Sequence, residues 1–193
     1  MKATGVLLLL MFLLGACGHS QTTASNLQKF DALRGEFKAL TSESKRVSID
    51  VQHLAQSMQK GDDASVRSTA VGLKADARSL MTRAGQAASR VRSLKVGARG
   101  RAVRGYFSLT ASILQWDWFE GKTLTQLADA AWADPLSTTP QDEQLLSRLS
   151  GTARWYAYMA VRSAQSAAQW RRQYATAFRY VPVPTSIPTQ GGA

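Results

Sequence analysis

The sequence has few of the residues that most enzymes and metal proteins use for chemistry. It contains one cysteine, Cys17, and two histidines, His19 and His53. Neither histidine has a second one three or four residues away, and no Glu-x-x-His pattern occurs, so a di-metal site or a haem ligand pair is not supported. No glycine-rich phosphate loop and no nucleophile elbow is present. We therefore expect no catalytic site, no bound metal and no cofactor.

Long apolar runs are also missing. The longest covers residues 6–14, which is nine residues, whereas a membrane-spanning helix needs roughly 20. Lys2 precedes this run, and its length and position are those of the apolar part of an export signal. No later stretch approaches the length of a membrane span, so the rest of the chain is expected to form one domain with its own core.

The apolar run ends in Leu14, Gly15, Ala16 and Cys17. This short pattern resembles the lipobox of bacterial lipoproteins. The resemblance implies that residues 1–16 are a signal peptide, that cleavage occurs before Cys17, and that lipid on Cys17 holds the chain to a membrane. The alternative is a secretory signal with an ordinary cleavage site, which would leave a lone thiol in an oxidising compartment.

The resemblance also implies a location, which is the extracytoplasmic side of the cell envelope. In Gram-negative lipoproteins an aspartate after the lipidated cysteine often signals retention in the inner membrane. Gly18 stands at that position. In a Gram-negative host it therefore favours the outer membrane.

Beyond a small, polar tether at residues 17–24, apolar residues recur at alternating steps of three and four. This period of 3.5 residues is typical of helices packed in a bundle. The first predicted seam is Phe30, Leu33, Phe37, Leu40, Ser44, Val47, Val51, Leu54 and Met58. The second is Val66, Ala70, Leu73, Ala77, Leu80, Ala84, Ala87, Val91 and Leu94. The last is Leu145, Leu149, Thr152, Tyr156, Met159, Ser163, Ser166, Trp170 and Tyr174, in a helix that we expect to end near Arg179.

Glycines and capping residues divide this pattern. Gly61 predicts the end of one helix, and Asp62 or Asp63 can cap the next. Gly97 and Gly100 predict a second turn. Gly121, followed by the capping pair Thr123 and Gln126, predicts a break in the third helix, although a continuous helix is the alternative. A loop from residue 134 to 139 then leads to Pro140, which suits the first position of a helix.

The predicted fold is an all-α, elongated, antiparallel up-down-up-down four-helix bundle over residues 25–180, with the third helix broken near Gly121. Short links favour antiparallel neighbours in a bundle of this kind. Residues 181–193 contain Pro182, Pro184 and Pro188 and cannot continue the last helix. We expect this segment to be an extended, disordered tail.

Negative charge is scarce over two long stretches. The formal net charge is +11, and no acidic residue occurs between Asp76 and Asp117 or after Glu143. In an up-down bundle that leaves the membrane from Cys17, the second turn and the end of the last helix both return to the anchored end. The basic residues that we expect to face the membrane are Arg90, Arg92, Lys95, Arg99, Arg101, Arg104, Arg171, Arg172 and Arg179. The alternative is an ordinary solvated basic surface with cations near helix C-termini.

Asp117 lies between Trp116 and Trp118, where the third helix requires an apolar side chain. A buried carboxylate must be paired or protonated, so these three residues form a possible ligand pocket. The alternative is that Asp117 points to the rim of the core and that the aromatic side chains belong to the packing.

Taken together, these features predict a non-enzymatic envelope lipoprotein, a helical-bundle binding or scaffold module anchored to the membrane through Cys17. Its expected partners are anionic lipid head groups and an envelope protein or polymer. Nucleic acid is not expected, because an exported protein rarely meets it, even though a basic charge otherwise favours it. The alternative function is a carrier or accessory protein that binds an apolar ligand between its aromatic-rich helices.

Overall fold

The computed structural model of the protein describes residues 25–137 and 139–178. Within these ranges the structure is all-α. Helix α1 is Arg34–Lys60, α2 is Asp63–Gly97, α3 is Arg101–Ala133 and α4 is Pro140–Gln173, followed by a 3-10 helix at Ala175–Phe178. Residues 25–32 are also helical and lead into α1 through a turn at Leu33.

Successive helices run antiparallel and pack on one another, α1 on α2, α2 on α3 and α3 on α4. This arrangement confirms the predicted up-down four-helix bundle. With 33 residues, α3 is about 50 Å long at a rise of about 1.5 Å per residue. None of the described helices is both long enough and apolar enough to cross a membrane.

The turns form where capping chemistry predicts them. Gly61 adopts a left-handed conformation with a φ of 67°, and its N–H donates to the carbonyl oxygen of Met58 at 3.0 Å. The side chain of Asp62 then accepts from the N–H of Ser65 at 3.0 Å, so one residue ends α1 and the next caps α2. At the start of α4, Thr139 accepts from the N–H of Asp142 at 3.2 Å, and Pro140 occupies the first turn.

Helix α2 provides the centre of the core. All of its predicted seam residues from Val66 to Val91 are buried, and Leu94 is half-buried. Burying a side chain such as Leu73 or Leu80 contributes roughly 1.5–3 kcal/mol relative to leaving it in water. The four alanines in this seam have short side chains, which let the neighbouring helices approach α2 closely.

The predicted break in the third helix is wrong, because α3 continues through Gly121. A Cβ atom placed on Gly121 would lie 2.7 Å from the carbonyl oxygen of Ala77, so the glycine marks a point where α3 closely approaches α2. Thr123 does not cap a new helix. Its Oγ1 donates to the carbonyl oxygen of Phe119 one turn earlier, at 2.9 Å, as a threonine inside a helix does.

The predicted seam of α1 is confirmed, whereas that of α4 is partly wrong. Every apolar member of the α1 seam is buried or packs against the core, and the structure adds one buried residue, Glu43. In α4 the buried side chains are Leu146, Ala153, Ala160 and Ala167. Small side chains fill the narrow contact with α3, and the larger Tyr156 and Trp170 lie half-buried beside it.

The last helix also ends earlier than predicted, at Gln173. The 3-10 helix that follows turns Phe178 back onto Tyr106 of α3, with their ring centroids 5.3 Å apart. The expected end near Arg179 assumed that the helix would continue until the prolines. The helix instead ends six residues before Arg179, and Phe178 packs on the core.

Candidate functional site

Three parts of the chain meet at one end of the bundle, which we call the basic end. It consists of residues 25–33, the last turns of α4, and the hinge between α2 and α3, which we define as residues 95–104 and which includes the adjoining turns of both helices. The Asn26 side chain donates to the carbonyl oxygen of Leu94 at 3.4 Å, and the Trp170 indole donates to the carbonyl oxygen of Ala102 at 2.8 Å. The first described residues and the end of α4 therefore both lie beside the hinge.

An aromatic cluster holds these parts together. The ring of Phe30 lies 4.9 Å from that of Phe107 and 5.5 Å from that of Tyr106, measured between centroids. Phe178 packs on the other side of Tyr106. Aromatic pairs at such distances contribute roughly 0.5–1.5 kcal/mol each beyond the area that they bury. The basic end is thus a packed part of the core and not a frayed terminus.

Eight of the nine predicted basic residues belong to the described part of the chain, and they lie at or near this end. Arg90, Arg92, Lys95, Arg99, Arg101, Arg104 and Arg172 are exposed, and Arg171 is half-buried. Arg179 lies outside the described residues. So do Cys17, the tether, the signal segment and the tail at residues 181–193.

Some of these cations have partners within the bundle. Arg90 forms a salt bridge with Glu36, and Arg92 donates to the side-chain oxygen of Gln115 at 3.2 Å. The guanidinium of Arg171 lies 6.0 Å from the centroid of the Tyr106 ring. By contrast, none of the salt bridges among the described residues involves the basic residues of the hinge, which are Lys95, Arg99, Arg101 and Arg104.

The hinge also carries an exposed apolar side chain. Val96 is 89% exposed and stands directly after Lys95. Single exposed apolar residues are common on protein surfaces. Val96 stands between Lys95 and Arg99, two of the four hinge cations that form no salt bridge. This end therefore combines positive charge with an exposed apolar side chain.

The three residues of the predicted pocket do not line one space. Trp116 packs against Trp155 and Tyr156 of α4, with ring centroids 5.6 and 6.0 Å apart. Trp118 lies on the opposite neighbour, since a Cβ atom on Gly85 of α2 would be 3.3 Å from its ring. Asp117 is half-buried between the two contacts.

What the structure does bring next to Asp117 is a second acid, Glu120, which is only 5% exposed. Burial raises the pKa of Asp117 to about 7. Burial, and then the nearby charge of Asp117, raise the pKa of Glu120 to about 8. None of the hydrogen bonds or salt bridges found among the described residues involves either group. At neutral pH the pair therefore holds at least part of its protons.

Glu43 is a third buried acid, 3% exposed, on the opposite side of α2. Its Oε1 accepts from the Nε of Arg83 at 2.9 Å and from the hydroxyl of Ser79 at 3.0 Å. Its Oε2 is buried without a hydrogen-bond partner. Glu43 thus links α1 to α2 through a charged pair whose arginine reaches solvent.

Two cavities lie between α1 and α2. The larger is an open groove of about 570 Å³ beside Glu36, Arg78, Arg83 and Arg90. The smaller, of about 280 Å³, is beside His53, which is exposed as expected for a residue on the solvated flank of α1. No group of three or more potential metal ligands occurs among the described residues.

Sequence reasoning missed Glu120 and Glu43. The signal for Glu120 was its spacing, because a residue three positions after Asp117 shares its helix face. Glu43 also fits the period, because it stands three positions after Leu40 and four before Val47, but the seam was assigned to Ser44 instead. Comparison with protein-family models, with curated proteins and with solved structures found no match for this chain.

Proposed function

We propose that this protein is a non-enzymatic lipoprotein of the cell envelope, a helical-bundle binding or scaffold module whose basic end faces the membrane. Lipid on Cys17 would anchor it, as the lipobox-like residues imply. A Gram-negative host would place it at the outer membrane by virtue of Gly18.

The observation that carries the proposal is the meeting of residues 25–33, the hinge and the end of α4. A tether of about seven residues reaches at most roughly 23 Å, so an anchor at Cys17 would keep residue 25 near the bilayer. The hinge cations share that end of the bundle. Residues 25–33, which follow the tether, and the excess of positive charge therefore lie at the same end of the bundle.

The expected energy is sufficient to orient a bundle but not to anchor it. Each lysine or arginine near an anionic surface contributes up to about 1 kcal/mol, and the attraction falls off within a Debye length. The four hinge cations then supply at most about 4 kcal/mol. Val96 adds an apolar contact at the same end of the bundle. We therefore assign anchoring to the lipid and orientation to the hinge.

The carrier alternative has weaker support. It needs space between the aromatic-rich helices, but Trp116 and Trp118 pack against neighbouring rings. An enzymatic function would need a carboxylate pair open to a substrate, whereas Glu120 is buried.

The proposal can be tested with a protein that starts at Gly18 and so lacks both the signal segment and the lipid. Its binding to vesicles of phosphatidylglycerol and of phosphatidylcholine is measured by co-sedimentation at low and high salt. We expect binding to the anionic vesicles only, with a loss of about tenfold or more when Lys95, Arg99, Arg101 and Arg104 are all changed to glutamine.

The matched control changes four exposed cations elsewhere to glutamine, namely Lys45, Lys60, Arg78 and Arg148. Both variants lose the same net charge. If the control loses as much vesicle binding as the hinge variant, or if binding depends on neither anionic lipid nor salt, the membrane-facing assignment is wrong.

A further inference from the structure

Helix α4 carries a second row of side chains, on the face opposite its buried alanines. The row steps along the helix by three and four residues, as a packed seam does, yet all its members are exposed. We call it the outer seam. It consists of Arg148, Gly151, Trp155, Tyr158, Arg162, Gln165, Gln169 and Arg172.

The centre of the outer seam is aromatic and ordered. Trp155 is 50% exposed and Tyr158 is 56% exposed, although both are large side chains. The Trp155 ring is held by Trp116 at 5.6 Å and by Tyr156 at 5.2 Å, both between ring centroids. The guanidinium of Arg162 lies 5.9 Å from the centroid of the Tyr158 ring. Rings held in this way lose little further entropy when a partner covers them.

The charge of the outer seam has one sign. Arg148, Arg162 and Arg172 stand along it, Arg154 flanks it, and α4 has no acid after Glu143. None of these four arginines takes part in a salt bridge among the described residues. Tryptophan, tyrosine and arginine are also the residues that most often dominate the energy of protein interfaces.

We propose that the outer seam of α4 docks an acidic amphipathic helix of a partner protein. The spacing of the seam matches the period of a helix lying along α4, with apolar side chains over Trp155 and Tyr158. Carboxylates of the partner would meet Arg148, Arg162 and Arg172. This proposal rests on the binding-module part of the proposed function and not on its membrane-facing end.

Site-specific crosslinking in the native envelope tests the proposal with the complete chain. A photoreactive benzophenone amino acid replaces Gln165, an exposed seam position, and in a matched control it replaces Gln52, an exposed position on α1. We expect a protein adduct from position 165 and not from position 52. The crosslinked peptide should carry Asp or Glu at helical spacing.

Charge then decides whether the adduct reflects the proposed contact. Arg148→Glu with Arg162→Glu should remove at least nine tenths of the adduct, whereas Arg148→Lys with Arg162→Lys should keep most of it. A protein adduct that survives the glutamate changes, an adduct with lipid or glycan, equal adducts from both positions, or no adduct would each overturn the proposal. Circular dichroism of each variant shows that the bundle is intact, and vesicle binding through the hinge should be unchanged. Failure here is thereby distinguished from failure of the membrane-facing end.

Discussion

The indole Nε1 of Trp170 donates a hydrogen bond to the main-chain carbonyl oxygen of Ala102, at 2.8 Å. The same ring lies against Gly105, where a Cβ atom would overlap it. This contact fastens the last turns of α4 to the first turns of α3. It therefore determines where Arg171 and Arg172 stand relative to the hinge.

Trp170→Phe should keep most of the ring packing but lose the hydrogen bond. We expect the free energy of unfolding to fall by about 1 kcal/mol, because a half-buried carbonyl loses its side-chain donor. Gly105→Ala should cost more, roughly 1–3 kcal/mol, since the ring must shift. Urea denaturation measures both. Trp132→Phe, a half-exposed tryptophan at the far end of α3, is the control and should change stability by less than about 0.5 kcal/mol. An equal loss in Trp132→Phe would contradict the assigned role of Trp170.

Gly121 and Gly151 give a second prediction, because both lie inside helices but only one is crowded. A Cβ atom on Gly121 would lie 2.7 Å from the Ala77 carbonyl oxygen and 3.0 Å from the Met81 nitrogen, whereas nothing lies within 4 Å at Gly151. Gly121→Ala should therefore destabilise the protein by roughly 1–3 kcal/mol. Gly151→Ala should stabilise it by about 0.5–1 kcal/mol through helix propensity.

Thermal unfolding of the two variants checks this pair. A gain in stability for Gly121→Ala similar to that for Gly151→Ala would mean that α2 and α3 do not approach so closely. It would also restore the possibility of a break in α3.

Gly121 shows where sequence reasoning about the fold reaches its limit. The turns at Gly61 and Thr139 were predictable, because local capping groups decide them. The seam of α2 was predictable too, since α1 and α3 cover this helix from both sides. A glycine followed by Thr123 reads equally well as a helix end or as a close crossing, and only the neighbouring helix decides between the two.

The candidate site also has some features that the sequence predicts and others that it does not. The meeting of the hinge with the end of α4 follows from the number of helices, so topology predicted it from Arg101 and Arg171. The burial of Glu120 and Glu43 needs more than a period, because spacing places each residue on a helix face but does not show which side chains cover it. The outer seam of α4 was predictable only in part. Trp155, Tyr156 and Tyr158 are too close in sequence to face one core together, so at least one must be exposed, but the sequence does not show which.

Glu43 gives a third prediction, which concerns how much a buried charged pair contributes to the free energy of unfolding. Glu43→Ala should cost about 1–2 kcal/mol, because Ser79 and Arg83 lose their acceptor while Arg83, half-exposed, can still be hydrated. Glu43→Met should stay within about 1 kcal/mol of the parent, since an apolar side chain of similar size removes the unpaired Oε2.

Chemical denaturation of both variants gives the comparison, with Glu36→Ala as the matched control. Glu36 is only half-buried and pairs with exposed Arg90, so its loss should cost less than about 0.5 kcal/mol. If Glu43→Met were as unstable as Glu43→Ala, the charged pair itself would be the main source of stability at this position.

The carboxyl groups of Asp117 and Glu120 predict how stability depends on pH. In the unfolded chain both groups lose their protons near pH 4, whereas in the folded protein their pKa values are raised to about 7 and about 8. Between about pH 4 and these raised pKa values, the folded state binds more protons than the unfolded state. The free energy of unfolding should therefore fall as pH rises, by on the order of 1–3 kcal/mol between pH 5 and pH 8.

Urea denaturation at several pH values measures this slope, and neutral isosteres assign it. Asp117→Asn with Glu120→Gln should flatten the dependence and raise stability at pH 8, because the folded state no longer has to bury an ionised group. Asp50→Asn is the control, since the pKa of Asp50 is also raised, by burial and by Asp76, but this half-buried residue belongs to α1 and lies apart from the pair on α3. A slope that persists in the double variant and disappears in Asp50→Asn would show that the Asp117 and Glu120 pair does not bind the extra protons.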